Sequence, residues 1–144
     1  MVDASVVAKW HLGDESHIVK AMEVLRDFQA GSTILVAPRY LAYEVINTIV
    51  KSAKRGRLPS AAVTATIRQV SSWGIALFDD SEYLDQAAEV SQLLGCSFYD
   101  ALYIVTALRE DAPLVSADAK LVRAAARFRN RLVWIEDYTS PAPA

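Results

Sequence analysis

"SFYDALYIVTALREDAPLVSAD", residues 97–118, sets a long helical pattern directly before a strand, and that junction decides the fold. From Ser97 to Asp111 apolar side chains fall on nearly every side of the helix. A helix apolar all round is a buried one, so this stretch predicts a central helix. "APLVSAD" then predicts a short strand leading into a loop.

Working outward, the same alternation recurs on both sides. In "MVDASVVAKW" at residues 1–10, Val2, Val6 and Val7 predict a first buried strand. "HLGDES" reads as a loop with a helix start, capped by Asp14 or Ser16. Ile18, Met22, Leu25 and Phe28 recur at helical steps, and Gly31 ends that helix. "TILVA" predicts a strand, and Pro38 suits the first turn of a helix running to about Arg55. Leu41, Val45 and Ile49 form its apolar stripe. After the turn "RGRLPS", Val63, Ile67 and Val70 mark a third helix ending near Gly74. "IALFD" is a strand candidate, and a fourth helix opens at Ser81 and Glu82 and ends at Gly95. Beyond the central pair, "AKLVRAAARF" predicts a helix and "RLVWIED" a last strand. Residues 1–137 read as one domain, and "YTSPAPA", 138–144, as a loose tail. Alternating strands and helices predict an α/β sandwich with a mainly parallel sheet.

Composition narrows the function classes. Fifteen Lys and Arg against 17 Asp and Glu leave a net charge of −2, which excludes a broad basic coat but not a local basic patch. The apolar runs are too short and too broken by charge to cross a bilayer. The single cysteine, Cys96, excludes an intrachain disulfide and reads as a small buried hydrophobe. With no secretory signal, a reducing cytoplasm is the expected location.

Four acids sit oddly for solvated charges: Asp3, Glu44, Asp100 and Asp118. Each has a local explanation. Asp3 can cap a strand end, and Glu44 can be an exposed helix residue off the apolar stripe. Asp100 stands three after Ser97, a capping-box spacing, and Asp118 can start the next helix. Jointly they suggest more, because parallel sheets carry their sites at the carboxyl ends of strands, where Asp3 and Asp118 fall. Glu44 shares a face with Tyr40, Asn47 and Lys51 at steps of four, three and four. Two unit charges about 5 Å apart repel by roughly 3 kcal/mol at an effective dielectric near 20. Such a cluster takes up protons or binds a cation. All-oxygen ligands suit Mg²⁺ or Mn²⁺, a pairing used in phosphoryl chemistry. Zinc is disfavoured, because His11 and His17 lie near one early loop without a cysteine partner. Ser5 and Ser116, each two residues from an acid, either orient a carboxylate or bond the local backbone.

"VDASV", "APRYLAYEVINTI", "KRGRL", "SFYDALYIVTA" and "APLVSAD" together resemble the PIN-domain nucleases, particularly the VapC-type toxins of toxin–antitoxin pairs. The resemblance runs from Val2 to about Ile135. It implies a three-layer sandwich, a parallel central sheet flanked by helices, and an Mg²⁺- or Mn²⁺-dependent endoribonuclease. Asp3, Glu44, Asp100 and Asp118 match its catalytic, metal-binding acids, with Asp3 and Asp100 as the firmest ligands. Ser116 matches the accompanying hydroxyl, and Ser5 and Asn47 stand as supporting residues. The implied reaction is RNA phosphodiester hydrolysis by an activated water, leaving a 5′-phosphate and a 3′-hydroxyl. The implied partners are RNA, a small VapB-type antitoxin plugging the site, and a second copy in a homodimer. RNA needs cations, and Lys51, Lys54, Arg55 and Arg57 supply a local cluster at the end of the helix carrying Glu44.

Two other readings compete. A phosphoacceptor signalling domain wants an acidic pair after the first strand and a lysine after a late one. Here one acid follows the start, and the last strand ends in "WIED". A catalytically silent PIN-fold module that binds RNA or protein is the alternative within the family, and the presence of all four acids argues against it.

Overall fold

The structure, a computed structural model, describes residues 1–13 and 16–141. Its first departure from the sequence reading is at the start. Only Val2 joins the sheet, through a single parallel bridge to Val115. Asp3 then caps a helix, α1 (Ala4–Lys9), by accepting a hydrogen bond from the Val6 N–H at 3.2 Å. An N-cap carboxylate satisfies an otherwise orphaned helix donor, and that outweighs the β preference of two valines. Val6 and Val7 are still buried, but on the inner side of a helix.

The sheet is short and assembled in three pieces. β1 (Val36–Pro38) pairs in parallel with β2 (Ala76–Phe78), placing Ala37 opposite Leu77. β3 (Leu114–Ser116) pairs in parallel with β4 (Leu132–Trp134), placing Val115 opposite Val133. Residues 1–3 stitch the two pairs together. Val2 N–H donates to the Val36 carbonyl at 3.2 Å, and Val115 N–H donates to the Met1 carbonyl at 2.9 Å. The order across the sheet is therefore β2, β1, residues 1–3, β3, β4. This is the α/β sandwich with parallel pairing that the alternation predicts.

Six more helices cover it: α2 (Ile18–Gln29), α3 (Tyr40–Lys54), α4 (Val63–Ser72), α5 (Leu84–Leu94), α6 (Phe98–Arg109) and α7 (Ala119–Ala124). α6 is the central helix expected, buried without a break from Ala101 to Ala107. Leu41, Val45 and Ile49 bury the inner stripe of α3. Several boundaries differ from the sequence reading. Pro38 closes β1 instead of opening α3, because Arg39 N–H continues the pairing to the Phe78 carbonyl at 2.9 Å. Neither proposed cap starts α2. Its N-cap is His17, in the left-handed region at φ 59° and without a capping side-chain bond, while Asp14 lies outside the described residues. Ser81–Tyr83 forms a 3₁₀ turn ahead of α5, and Gly95 ends that helix at φ +64°, where an L side chain is strained. α7 stops early, and a 3₁₀ segment kinked at Phe128 spans Ala126–Arg131. Among the described residues no helix is long and apolar enough to cross a membrane.

Tyr138, read as the first residue of the tail, is packed. It is 9% exposed, its hydroxyl donates to Asp27 Oδ2 at 2.7 Å, and its carbonyl accepts from Lys20 Nζ at 3.1 Å. Burial and then the Asp27 bond push the phenol pKa up to about 12. Tyr138→Phe is expected to lower stability by about 1 kcal/mol in urea denaturation, the ordinary net worth of one such bond. An unchanged midpoint would show that this tether contributes nothing.

Candidate functional site

The site is built outward from Asp3, which is 3% exposed. Its Oδ1 accepts from Val6 N–H and from the Ser5 hydroxyl, the latter at 2.5 Å. Its Oδ2 accepts from the Ser116 hydroxyl at the end of β3. Both serines also accept from backbone. Ser5 Oγ takes the Ala117 N–H at 2.8 Å, and Ser116 Oγ takes the Asp118 N–H at 3.0 Å. Ser116 thus bonds both the carboxylate and its local backbone, whereas the backbone partner of Ser5 is distant in sequence. Each hydroxyl orients the carboxylate and ties the β3–α7 turn to the start of α1.

Asp118 follows that turn and caps α7, its Oδ1 accepting from Lys120 N–H at 2.7 Å and Leu121 N–H at 3.4 Å. Asp100 forms the capping box that its spacing predicts. It accepts from Ser97 N–H through Oδ2 at 3.3 Å and donates its own N–H to Ser97 Oγ at 3.1 Å. Three of the four acids thus stand in the first turn or at the cap of a helix, where negative charge is favoured. Glu44, in the second turn of α3, is held differently, by the hydroxyl of Tyr103, which donates to Oε2 at 2.8 Å. Tyr103 is 2% exposed and belongs to the core face of α6, so a buried side chain fixes this acid from below.

The electrostatics of Asp3 and Glu44 are set by burial and by neighbouring acids. Burial raises the Asp3 pKa to about 6; the Ser116, Ser5 and Val6 donors oppose the rise, and the Asp118 charge adds to it. Burial also raises that of Glu44, against the Tyr103 bond and reinforced by the charges of Asp3, Asp100 and Asp118. The phenol of Tyr103 is pushed well up by burial and then by Glu44 and Asp3. Burial and the neighbouring acids thus both work against the charged forms of Asp3 and Glu44.

A cavity of about 410 Å³ opens over it, lined by Ser5, Lys9, Glu44, Thr48 and Asp118 among others. Two of these residues escaped the sequence reading. Lys9 is 6% exposed and reaches the cavity from α1, where it lies four residues after Ser5 on one helix face. Thr48 lies four after Glu44 and donates its hydroxyl to the Glu44 carbonyl at 3.0 Å. Asn47, chosen from that face, is exposed and does not line the cavity. Lys51, Lys54, Arg55 and Arg57 are exposed at the far end of α3. His11 is partly buried and stacks on Trp73 with centroids 4.5 Å apart. His17 pairs with Glu136. Neither histidine is among the residues lining the cavity. Cys96 is partly buried, and burial raises its thiol pKa, with Asp100 adding to the effect, so it is poorly suited to be a nucleophile.

The donor set is hard oxygen throughout: four carboxylates and two serine hydroxyls, with no thiolate or imidazole. That chemistry and the excess charge fit a divalent cation such as Mg²⁺ or Mn²⁺. As the side chains stand, no three of these acids among the described residues are gathered closely enough to grip one ion together. The capping and positioning bonds use Oδ1 of Asp118, Oδ2 of Asp100 and Oε2 of Glu44, so each of these carboxylates has a second oxygen outside them.

Residues 1–127 match the PIN domain family. No curated protein matches the chain. PIN domains are generally nucleases and typically bind divalent metals, in keeping with the acids gathered over Asp3. With the family spanning most of its length and every element around the site, this chain belongs to the PIN-domain family.

Proposed function

We propose that the chain is an Mg²⁺- or Mn²⁺-dependent endoribonuclease, contained in a single domain over residues 1–137, and the toxin of a toxin–antitoxin pair. One observation supports the nuclease reading: Asp3 is buried beside an open cavity that Glu44 and Asp118 line, and the charges of Asp3, Asp100 and Asp118 all act on Glu44. The toxin role, a small VapB-type antitoxin and a homodimer rest on the sequence resemblance.

In this reading Asp3 and Asp100 are the firmest metal ligands, and Glu44 and Asp118 complete the set. A divalent cation there lowers the pKa of a coordinated water and offsets charge developing on the phosphate oxygens. The chain's own part is to keep its carboxylates ionised and aimed. Ser5 and Ser116 donate to opposite oxygens of Asp3, favouring its charged form and fixing its plane. Tyr103 holds Glu44 against its helix. Asp100 and Asp118 each spend one oxygen on a cap, which leaves a second oxygen to take up the cation. Lys51, Lys54, Arg55 and Arg57 supply phosphate contacts along α3, with Asn47 beside Glu44.

The raised Asp3 pKa has a defined sign. Its contribution to stability is fully present below the unfolded value near 3.8 and is lost as pH rises through about 6. The full shift corresponds to roughly 3 kcal/mol. Glu44 acts in the same direction, and the Met1 amine, lowered to about 6 by burial, acts in the opposite one. Comparing wild type with Asp3→Asn cancels these other groups to first order. Without metal, the Asn variant should gain on wild type by a few kcal/mol in urea denaturation between pH 4 and pH 7. Millimolar Mg²⁺ at pH 7 should stabilise wild type and close that gap. A metal-independent, pH-flat difference would count against the site.

Asp100→Asn should abolish RNA cleavage, a loss of at least about 100-fold. Asparagine keeps an oxygen for the Ser97 N–H, so the melting temperature should stay within a few degrees of wild type. Full activity in that variant sinks the assignment. The toxin role is tested by purifying the chain with its neighbouring gene product. A small protein that co-elutes and blocks cleavage supports it, and a chain that elutes alone and is uninhibited refutes it.

A further inference from the structure

Tyr40 and Tyr99 lie face to face between α3 and α6, with ring centroids 4.4 Å apart and 6° between their planes. Both are tied by sequence to the acids. Tyr99 immediately precedes Asp100, and Tyr40 stands four residues, about 6 Å of helix, before Glu44. The charges of Glu44 and Asp100 both act on the Tyr40 hydroxyl, so the pair borders the carboxylate cluster in space as well as in sequence. Tyr99 is nonetheless 49% exposed. Phe98 meets its ring edge-on at 5.8 Å, so Tyr99 is held by two aromatic neighbours and still presents much of its surface to solvent.

A large ring left half in water adds little to folding. A ring already fixed by its neighbours loses little further freedom when a flat ligand settles on it. We propose that the Tyr40–Tyr99 stack is the seat of an unpaired nucleobase beside the carboxylates. The inference rests on the nuclease reading for one point only, that a phosphate occupies the carboxylate cluster. The base of the adjoining nucleotide then falls beside Asp100, where Tyr99 waits. A base inside a duplex has its faces covered by its neighbours and cannot stack on a protein ring, whereas an unpaired base of any kind can. The seat therefore selects unpaired over paired strands without reading sequence. It also suits this chain's charge. With 17 acids against 15 bases, phosphate attraction is weak overall, and stacking is an attraction that does not depend on it.

The test uses the full chain in EDTA at low salt, so that nothing is cleaved, with a single-stranded RNA carrying 2-aminopurine. Stacking quenches this fluorescent base. Saturable quenching by wild type is expected, with little when the same strand is paired into a duplex. Tyr99→Leu should lose the quenching and weaken single-strand binding about tenfold, whereas Tyr99→Phe, which keeps the ring, should retain both. Melting curves of both variants confirm that each is folded. If quenching is absent in wild type, persists in Tyr99→Leu, or is equal for duplex and single strand, the seat does not exist. Cleavage with Mg²⁺ is scored separately. Quenching without cleavage refutes the nuclease and leaves the seat. Cleavage with an unchanged KM for single strands in Tyr99→Leu refutes the seat and leaves the nuclease.

Discussion

The acidic end of the sheet depends on one carboxylate being held from three directions. Asp3 accepts from the first turn of its own helix, from the serine two residues on, and from a serine 113 residues away. The first bond starts α1, the second holds the carboxylate within that turn, and the third locks it to the end of β3. Burial alone would push this acid toward its neutral form. The three donors act against that, so the bonds that organise the local fold also preserve the charge. A substitution that removed the oxygens would leave the buried Ser116 hydroxyl, the partly buried Ser5 hydroxyl and a helix N–H without this partner.

The helices at this end share a design. Asp3, Asp100 and Asp118 each serve a helix start, of α1, α6 and α7. Capping groups are among the least mobile acids a protein has, because their backbone partners pin them. Acids at helix starts are arranged by the backbone itself, with serine hydroxyls adding support at Asp3 and Asp100. Glu44 lies in the second turn of its helix and lacks that support, and Tyr103 supplies it instead. Stability and chemistry are thereby written into the same oxygens.

The central helix and the strand after it were legible because their pattern is long. An apolar surface over a dozen residues has one reading, and "SFYDALYIVTALRED" behaves as that reading says. The first ten residues were not legible in this way. With so few positions, Val2, Val6 and Val7 fit a strand or a helix, and the decision belongs to the Asp3 cap. Pro38 misled for a related reason, since a strand's last residue and a helix's first both tolerate a missing N–H. The acids could be picked out as charges in the wrong company. Lys9 could not, because its place in the cavity depends on α1 being a helix at all. On α3, Asn47 and Thr48 lie on opposite sides of Glu44, about 60° and 40° away around the helix axis. Steps of three and four cannot say which side faces the cavity, and only the packing of α3 against α1 puts Thr48 there.

Residues 1–3 form the middle of the sheet, yet they bond to Val36 on one side and to Val115 on the other. The first residues of this sequence thus complete their pairing only against a strand more than a hundred residues later. Until β3 has been translated, Val2 has only one neighbour and Asp3 lacks Ser116. A nascent or prematurely ended chain has neither a continuous sheet nor an assembled acidic cluster. The hydrogen-bonded setting of Asp3 is consequently complete only when residues 1–3 and β3 are present together.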